Sequence, residues 1–231
     1  MSREKRECQE SNGVVRDEFK CRILRVADSG NTNRTAIMKW LETQGERARQ
    51  RFMRQVAILR EQPAKGGMPE FYDSGVHEGA PYCVMEEVEP LANYLPPAEA
   101  IAVIRDVANA CRMLRTHKNE YFHCGIHPVH IGRRPDGHAV LLGFGWVFTK
   151  NQALVAPSTI DPPLYLAPED LSEGWISECA EIYALGKLLS ELMNDKVPSE
   201  LASVVADATA EDPKKRIQSI PELLVRLEGK Y

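Results

Sequence analysis

No stretch of this 231-residue chain approaches the ~20 consecutive apolar residues that a membrane-spanning helix needs, which excludes a helical membrane span. Met1 to Lys20 is charged and has no apolar centre of signal-peptide type, so a cytoplasmic protein is expected. A dominant charge sign is also missing. Lysine and arginine total 29 against 33 aspartates and glutamates, a formal charge of -4. With no basic run large enough to cover a face, a nucleic-acid partner has no electrostatic support. Cys8, Cys21, Cys83, Cys111, Cys124 and Cys179 follow no regular spacing, and Cys83, Cys111 and Cys179 lie in apolar periodic segments. Buried free thiols are expected, not a disulfide framework. No internal repeat or low-complexity segment interrupts the chain, which excludes a solenoid. With 43% hydrophobic residues, the chain can bury one sizeable core or two small lobes.

Periodicity divides it further. Residues 1–18 carry mixed charge and little periodicity, a charged arm or a weak first strand. Residues 19–89 read as a small β-rich lobe with one helix. Lys20 to Asp28 and Thr35 to Leu41 are β-prone runs joined by the turn-rich Ser29-Gly30-Asn31-Thr32-Asn33. Glu46 to Gln62 places Phe52, Val56 and Leu59 on one helical face and Arg47, Arg49, Arg51, Arg54 and Arg60 largely on the others. Gly66 and Gly67 end that helix, and Pro69 to Val76 and Pro81 to Val88 form a second strand pair. Across residues 90–231 the period is mainly helical. Ile101, Ile104, Ala108, Cys111, Leu114 and Arg115 share a face after Pro96-Pro97, and Ile182, Leu185, Leu189 and Leu192 mark a helix over Ser177 to Met193. Weaker helices follow at Leu201 to Ala208 and Pro221 to Leu227. Val129 to Arg134 and His138 to Leu142 read as a hairpin around Pro135-Asp136-Gly137.

Short motifs fall along this plan in a fixed order: Ala36-Ile37-Met38-Lys39, Met85-Glu86-Glu87-Val88, His123-Cys124-Gly125-Ile126-His127-Pro128-Val129-His130-Ile131, Gly143-Phe144-Gly145, Tyr165-Leu166-Ala167-Pro168-Glu169, Glu181-Ile182-Tyr183-Ala184-Leu185-Gly186 and Asp212-Pro213-Lys214-Lys215-Arg216. Each is weak alone. Their joint order and spacing over residues 20–228 resembles the eukaryotic-type Ser/Thr protein kinase family, in a degenerate, pseudokinase form. The fold the resemblance implies is α+β, a bilobed protein kinase-like fold with a small β-rich N-lobe carrying one helix and a mainly helical, compact C-lobe.

The resemblance also implies which chemical groups have changed. Lys39 stands as the strand lysine, a remnant phosphate-contact position, while the carboxylate that should pair with it falls at Gln55. Gly125 stands for the catalytic aspartate, His130 for the magnesium-binding asparagine, and Gly143 for the metal-binding aspartate. Phosphoryl transfer is catalysed by positioning and charge neutralisation, and magnesium is held by hard oxygen ligands, which glycine does not carry. The glycines of a phosphate-covering loop map near Arg16, Glu18 and Cys21, where side chains would fill the space. The residue capping adenine maps to Ile37, adding bulk, and the one beneath it to Gly132, removing a contact. Positions that hold the fold are of suitable type: Leu59, Phe71, His123 and Phe144 as a stacked column, Glu181 as its anchor, and Glu169 with Arg216 as a buried ion pair.

A catalytically inactive kinase-like protein is therefore expected: not an enzyme, with no cofactor, weak or no ATP binding, and a role as protein-binding scaffold or allosteric regulator. The partner expected is a protein; neither nucleic acid nor membrane is. The alternative is an atypical transferase using the kinase-like cleft for a different nucleotide-dependent reaction. His123, Cys124, His127 and His130 have spacings that could present metal ligands, but zinc needs three or four converging donors and the loop reads as extended, so no metal site is expected. The arginine-rich helix face is the ordinary solvated case. Ser158 and Thr159 could accept phosphate in the presumed activation segment, although Pro157, Pro162 and Pro163 suggest a fixed connection.

Overall fold

The computed structural model describes residues 20–27, 35–43, 45–92, 94–150, 165–172 and 176–230. The arm over residues 1–18, Arg16 and Glu18, the turn Ser29 to Asn33, and Ser158 and Thr159 with their prolines lie outside the described residues. Two compact units hold the rest, one comprising 20–64 and 69–87, the other 65–68, 88–150 and 165–230.

The first unit contains β1 (Cys21–Ala27), β2 (Thr35–Leu41), α1 (Glu46–Glu61), β3 (Phe71–His77) and β4 (Ala80–Glu86). Its antiparallel sheet has the order β1-β2-β4-β3. β3 and β4 are joined at Glu78 and Gly79, whose φ values of 52° and 79° give two successive left-handed residues, the twist that a tight hairpin favours. Along β4, Pro81, Cys83 and Met85 are buried while their neighbours are partly exposed, the period-two signature of a half-covered sheet. α1 covers it. Ala48, Phe52, Gln55, Val56, Ile58 and Leu59 turn inward, packing on β2, β3 and β4. The helix stops earlier than Gly66-Gly67: Gln62 is already extended at φ −93°, ψ 136°, as a residue preceding proline, here Pro63, prefers.

The second unit runs through β5 (Glu89–Pro90), α2 (Pro97–Thr116), β6 (Tyr121–Phe122), β7 (Ile131–Arg133), β8 (Ala139–Leu141), β9 (Phe148–Thr149), α3 (Pro168–Ser172), α4 (Glu178–Leu192), α5 (Ser199–Ala208) and α6 (Ile220–Leu227). Pro97 opens α2 at a first-turn position where its missing N–H costs nothing, and Ser177 caps α4 by accepting from the Ala180 N–H at 3.1 Å. α2 packs on α4, α6, β6 and β8, and Ile104, Leu114, Leu141, Ile182, Leu185, Leu188, Leu189 and Leu192 fill the core between these elements. A three-stranded sheet β5-β7-β8 and a β6-β9 pair carry the loops that concern function. The α+β class expected from the sequence is the one observed. Cys21, Cys83, Cys111, Cys124 and Cys179 form no disulfide with one another, with Cys83 and Cys111 buried and Cys179 only partly so.

Arg216 ties α3 to the segment before α6. Its Nη1–H and Nη2–H donate to Glu169 Oε1 and Oε2 at 2.6 and 3.0 Å, a bidentate fork, and it also donates to the Cys179 and Ala210 carbonyls at 2.8 and 3.0 Å. The Arg216 side chain is fully buried and that of Glu169 nearly so. Removing one partner leaves the other charge buried and unpaired. Arg216→Ala is expected to lower unfolding free energy by ~3–5 kcal/mol, read as a lowered urea midpoint.

Candidate functional site

In the second unit the segment from His123 to Ile131 leaves β6 and enters β7. Its start is fixed by a buried carboxylate. The His123 N–H donates to Glu181 Oε1 at 2.7 Å, and Arg115 of α2 donates to Glu181 Oε2. Glu181, in the first turn of α4, is 3% exposed; burial pushes its carboxyl up, while Arg115 and the His123 N–H pull it back. Cys124 then adopts φ 51°, a left-handed conformation uncommon outside glycine. The expected extended loop is corrected at Pro128–His130, a 3-10 turn. Proline fixes φ there and His127 Nδ1 accepts from the Val129 N–H at 3.2 Å.

A second segment, Leu142 to Val147, lies against the first. The Leu142 N–H donates to the His130 carbonyl at 2.6 Å, and His123 Nε2–H donates to the Leu142 carbonyl at 2.7 Å. The His123 ring meets Phe144 edge-on, centroids 5.5 Å apart. Gly143 takes φ +81°, followed by a 3-10 turn over Phe144–Trp146, after which β9 pairs with β6.

Two glycines face two rings across this interface. A Cβ at Gly125 would lie 2.8 Å from Trp146 Cβ and 3.0 Å from its Cγ. One at Gly143 would lie 2.6 Å from His130 Cγ, distances real Cβ atoms do not reach. His130 Nδ1–H donates to the Gly125 carbonyl at 2.7 Å, and Trp146 is 6% exposed. Side-chain space at both positions is occupied by rings from elsewhere in the chain. Gly132 behaves likewise: the Val88 side chain fills the space a Cβ there would take, and β5 pairs with β7 through Pro90 and Gly132.

In the first unit Lys39 Nζ donates to Gln55 Oε1 at 3.0 Å, with Gln55 Nε2 3.6 Å from Cys83 Sγ. Gln55 is buried in α1, as is Leu59, while Phe71 and Ile37 are partly buried on the sheet. Of the α1 arginines, Arg49 donates to the Gly79 carbonyl at 3.3 Å and Arg60 to Ser74 Oγ at 2.5 Å, so that face is partly tied to the sheet. The structure thus brings together Lys39 with Gln55, His123 with Phe144 and Glu181, His130 with Gly125 and Gly143, and Glu169 with Arg216. The His130 ring centroid lies 6.3 Å from that of His123 and 6.4 Å from that of His127, and no group of three or more metal-ligating side chains converges among the described residues. Trp146, Val88 and Arg115 were not singled out as site residues by sequence reasoning. An aromatic one position past Gly143-Phe144-Gly145 was the available signal for Trp146.

No protein-family model matches the chain. Among curated proteins it is 29% identical over 167 residues to the serine/threonine-protein kinase PrkC of Bacillus subtilis, covering 65% of this chain and 26% of that protein. It is 28% identical over 137 residues to the serine/threonine-protein kinase PknL of Mycobacterium tuberculosis, 55% of this chain and 34% of that one. With the serine/threonine-protein kinase PknB of Mycobacterium leprae it shares 26% over 161 residues, 62% and 25% respectively. The chain is similar to serine/threonine-protein kinases. It spans about a quarter to a third of the length of these relatives, and its sheet-rich first unit and helical second unit are those of a kinase-like bilobed fold. No helix among the described residues is long and apolar enough to cross a membrane.

These relatives overturn one expectation. The sequence reading that the chain is not an enzyme is corrected, because every relative named above is a serine/threonine-protein kinase, which points to an enzyme. The reading rested on the residue types at four positions of a motif frame, Gln55, Gly125, His130 and Gly143.

His123 generates a pH prediction. Burial, then the neighbouring His130, push its imidazole down from 6.5 to about 3, against the Leu142 carbonyl, which favours the charged form. Below about 6.5 the unfolded ring takes a proton that the folded ring refuses until about 3, so this contribution to stability is whole above 6.5 and is lost as pH falls through that window. Denaturant melts of wild type and His123→Phe should show wild type losing stability relative to the variant on going from neutral to acidic pH. A constant difference across that range contradicts it.

Proposed function

We propose that this chain is a kinase-like protein that works through protein contacts, as a scaffold or an allosteric regulator of a protein partner, with weak or no ATP binding. The observation that supports it most is the ring-filled loop: Trp146 and His130 stand in the space of side chains at Gly125 and Gly143, where the kinase frame places a base and a metal ligand. A loop packed with its own side chains offers a partner a fixed surface. The absence of side-chain oxygens at Gly125 and Gly143 removes hard ligands for magnesium at those two points, and Lys39 is engaged by Gln55, a neutral amide.

A second reading, a nucleotide-dependent transferase, is favoured by the names of the relatives. In that reading the base and metal ligands come from residues other than the two glycines. Thermal-shift titration with ATP and magnesium separates the readings, since a ligand at 100 times its dissociation constant stabilises by about 2.7 kcal/mol, or ~5–11 °C for a chain of this size. The scaffold or regulator reading expects an unchanged melting temperature at millimolar ATP. A clear shift, joined by phosphate incorporation that Lys39→Ala abolishes, overturns it in favour of the transferase.

A further inference from the structure

We propose that His130 and Trp146 form an intramolecular interlock with Gly143 and Gly125 that holds the two loop segments, His123 to Ile131 and Leu142 to Val147, in one arrangement without any bound ligand. The geometry is reciprocal. The first segment supplies a ring, His130, to a glycine of the second; the second supplies a ring, Trp146, to a glycine of the first. The His130 ring occupies the volume a Cβ on Gly143 would need, and the Trp146 side chain, from its Cβ into its ring, occupies the volume a Cβ on Gly125 would need, so neither glycine gains a side chain unless the opposite residue moves. Hydrogen bonds cross the same interface from the Leu142 N–H to the His130 carbonyl at 2.6 Å and from His123 Nε2–H to the Leu142 carbonyl at 2.7 Å, while His130 Nδ1–H to the Gly125 carbonyl at 2.7 Å and the Trp146 N–H to the Gly143 carbonyl at 3.1 Å fix the shape of each segment. Trp146, Val147 and Phe144 are 6%, 1% and 2% exposed, so the second segment is packed as core, not as a mobile loop.

In an interior packed to crystal-like density, such ring-on-glycine contacts have one solution, and the elements that carry them do not deform continuously. Loops that open locally have few buried contacts and solvent-exposed backbone hydrogen bonds; the second segment has the opposite character, and in the first His123, Ile126 and Ile131 are buried while Val129 is exposed. The interlock is a conformational device: it presets the loop shape that, in the regulator reading on which this inference rests, a partner meets.

A double-mutant cycle on the free, full chain tests it, with neither partner nor phosphate transfer involved, so its outcome is independent of whether the regulator reading holds. Gly143→Ala introduces both the positive-φ strain and the clash with the His130 ring; His130→Ala removes the ring and leaves the strain, which therefore cancels in the cycle. At Gly125 the nearest atom is Trp146 Cβ, so the matching background is Trp146→Gly, since Trp146→Ala would keep that atom. Gly143→Ala should lower the melting temperature by roughly 5 °C more in wild type than in His130→Ala, and Gly125→Ala likewise more in wild type than in Trp146→Gly. Hydrogen–deuterium exchange of wild type and His130→Ala provides the measurement should the glycine variants fail to fold. Amides of 124–131 and 142–147 should be protected in ligand-free wild type and exchange at least about tenfold faster in His130→Ala. Equal melting shifts in both backgrounds, or segments protected only when ATP and magnesium are added, overturn the interlock.

Discussion

The carboxylate of Glu181 is the point on which the second unit turns. It is buried, accepts the backbone N–H of His123 and the guanidinium of Arg115, and sits in the first turn of α4. A carboxylate in such a place is costly unless its lone pairs are taken, and here two elements converge on α4 to take them: α2 through Arg115 and the loop through His123. Because the His123 backbone is pinned, its ring is aimed at the Leu142 carbonyl and the edge of Phe144. The loop geometry that defines the candidate site follows from that one anchor.

From the anchor outward, the site is built by filling space. Between these two segments the chain packs the His130 ring against Gly143 and the Trp146 side chain against Gly125. Burial sets the electrostatics accordingly. The His123 imidazole is pushed down to about 3 and the thiols of Cys111 and Cys124 are pushed up, each toward its neutral form, first by burial and then by neighbours of like charge, His130 for the imidazole and Glu181 for both thiols. Asp170 follows the same rule, pushed up to about 7 mainly by burial although the Ala167 N–H favours its charged form. The region is largely buried, with the Glu181 carboxylate held inside it by Arg115.

Much of the scaffold was legible in the sequence, for physical reasons. α1, α2 and α4 are long enough for the helical period to stand out, and β2 and β4 carry clear β-prone runs. Glu169 and Arg216 sit in recognisable strings 47 residues apart, so their pairing could be expected without coordinates. The site was less legible. A glycine in a sequence reads as a side chain removed, and Gly125, Gly143 and Gly132 were read that way; in three dimensions each is an opening occupied by Trp146, His130 or Val88. Sequence shows what a position has lost and not what moved into the space, since the occupant comes from a distant position or another turn of chain. The same limit hid the stop signal of α1, where Pro63 acts before the glycine pair, and the 3-10 turn at Pro128–His130.

Experimental structures of the free chain and of the chain crystallised with ATP and magnesium test the account most directly. It predicts the same arrangement in both: the Trp146 side chain against Gly125, the His130 ring against Gly143 with its Nδ1–H on the Gly125 carbonyl, and no metal between the two segments. A structure in which either ring has swung away and a metal ion sits in the space it vacated would contradict it.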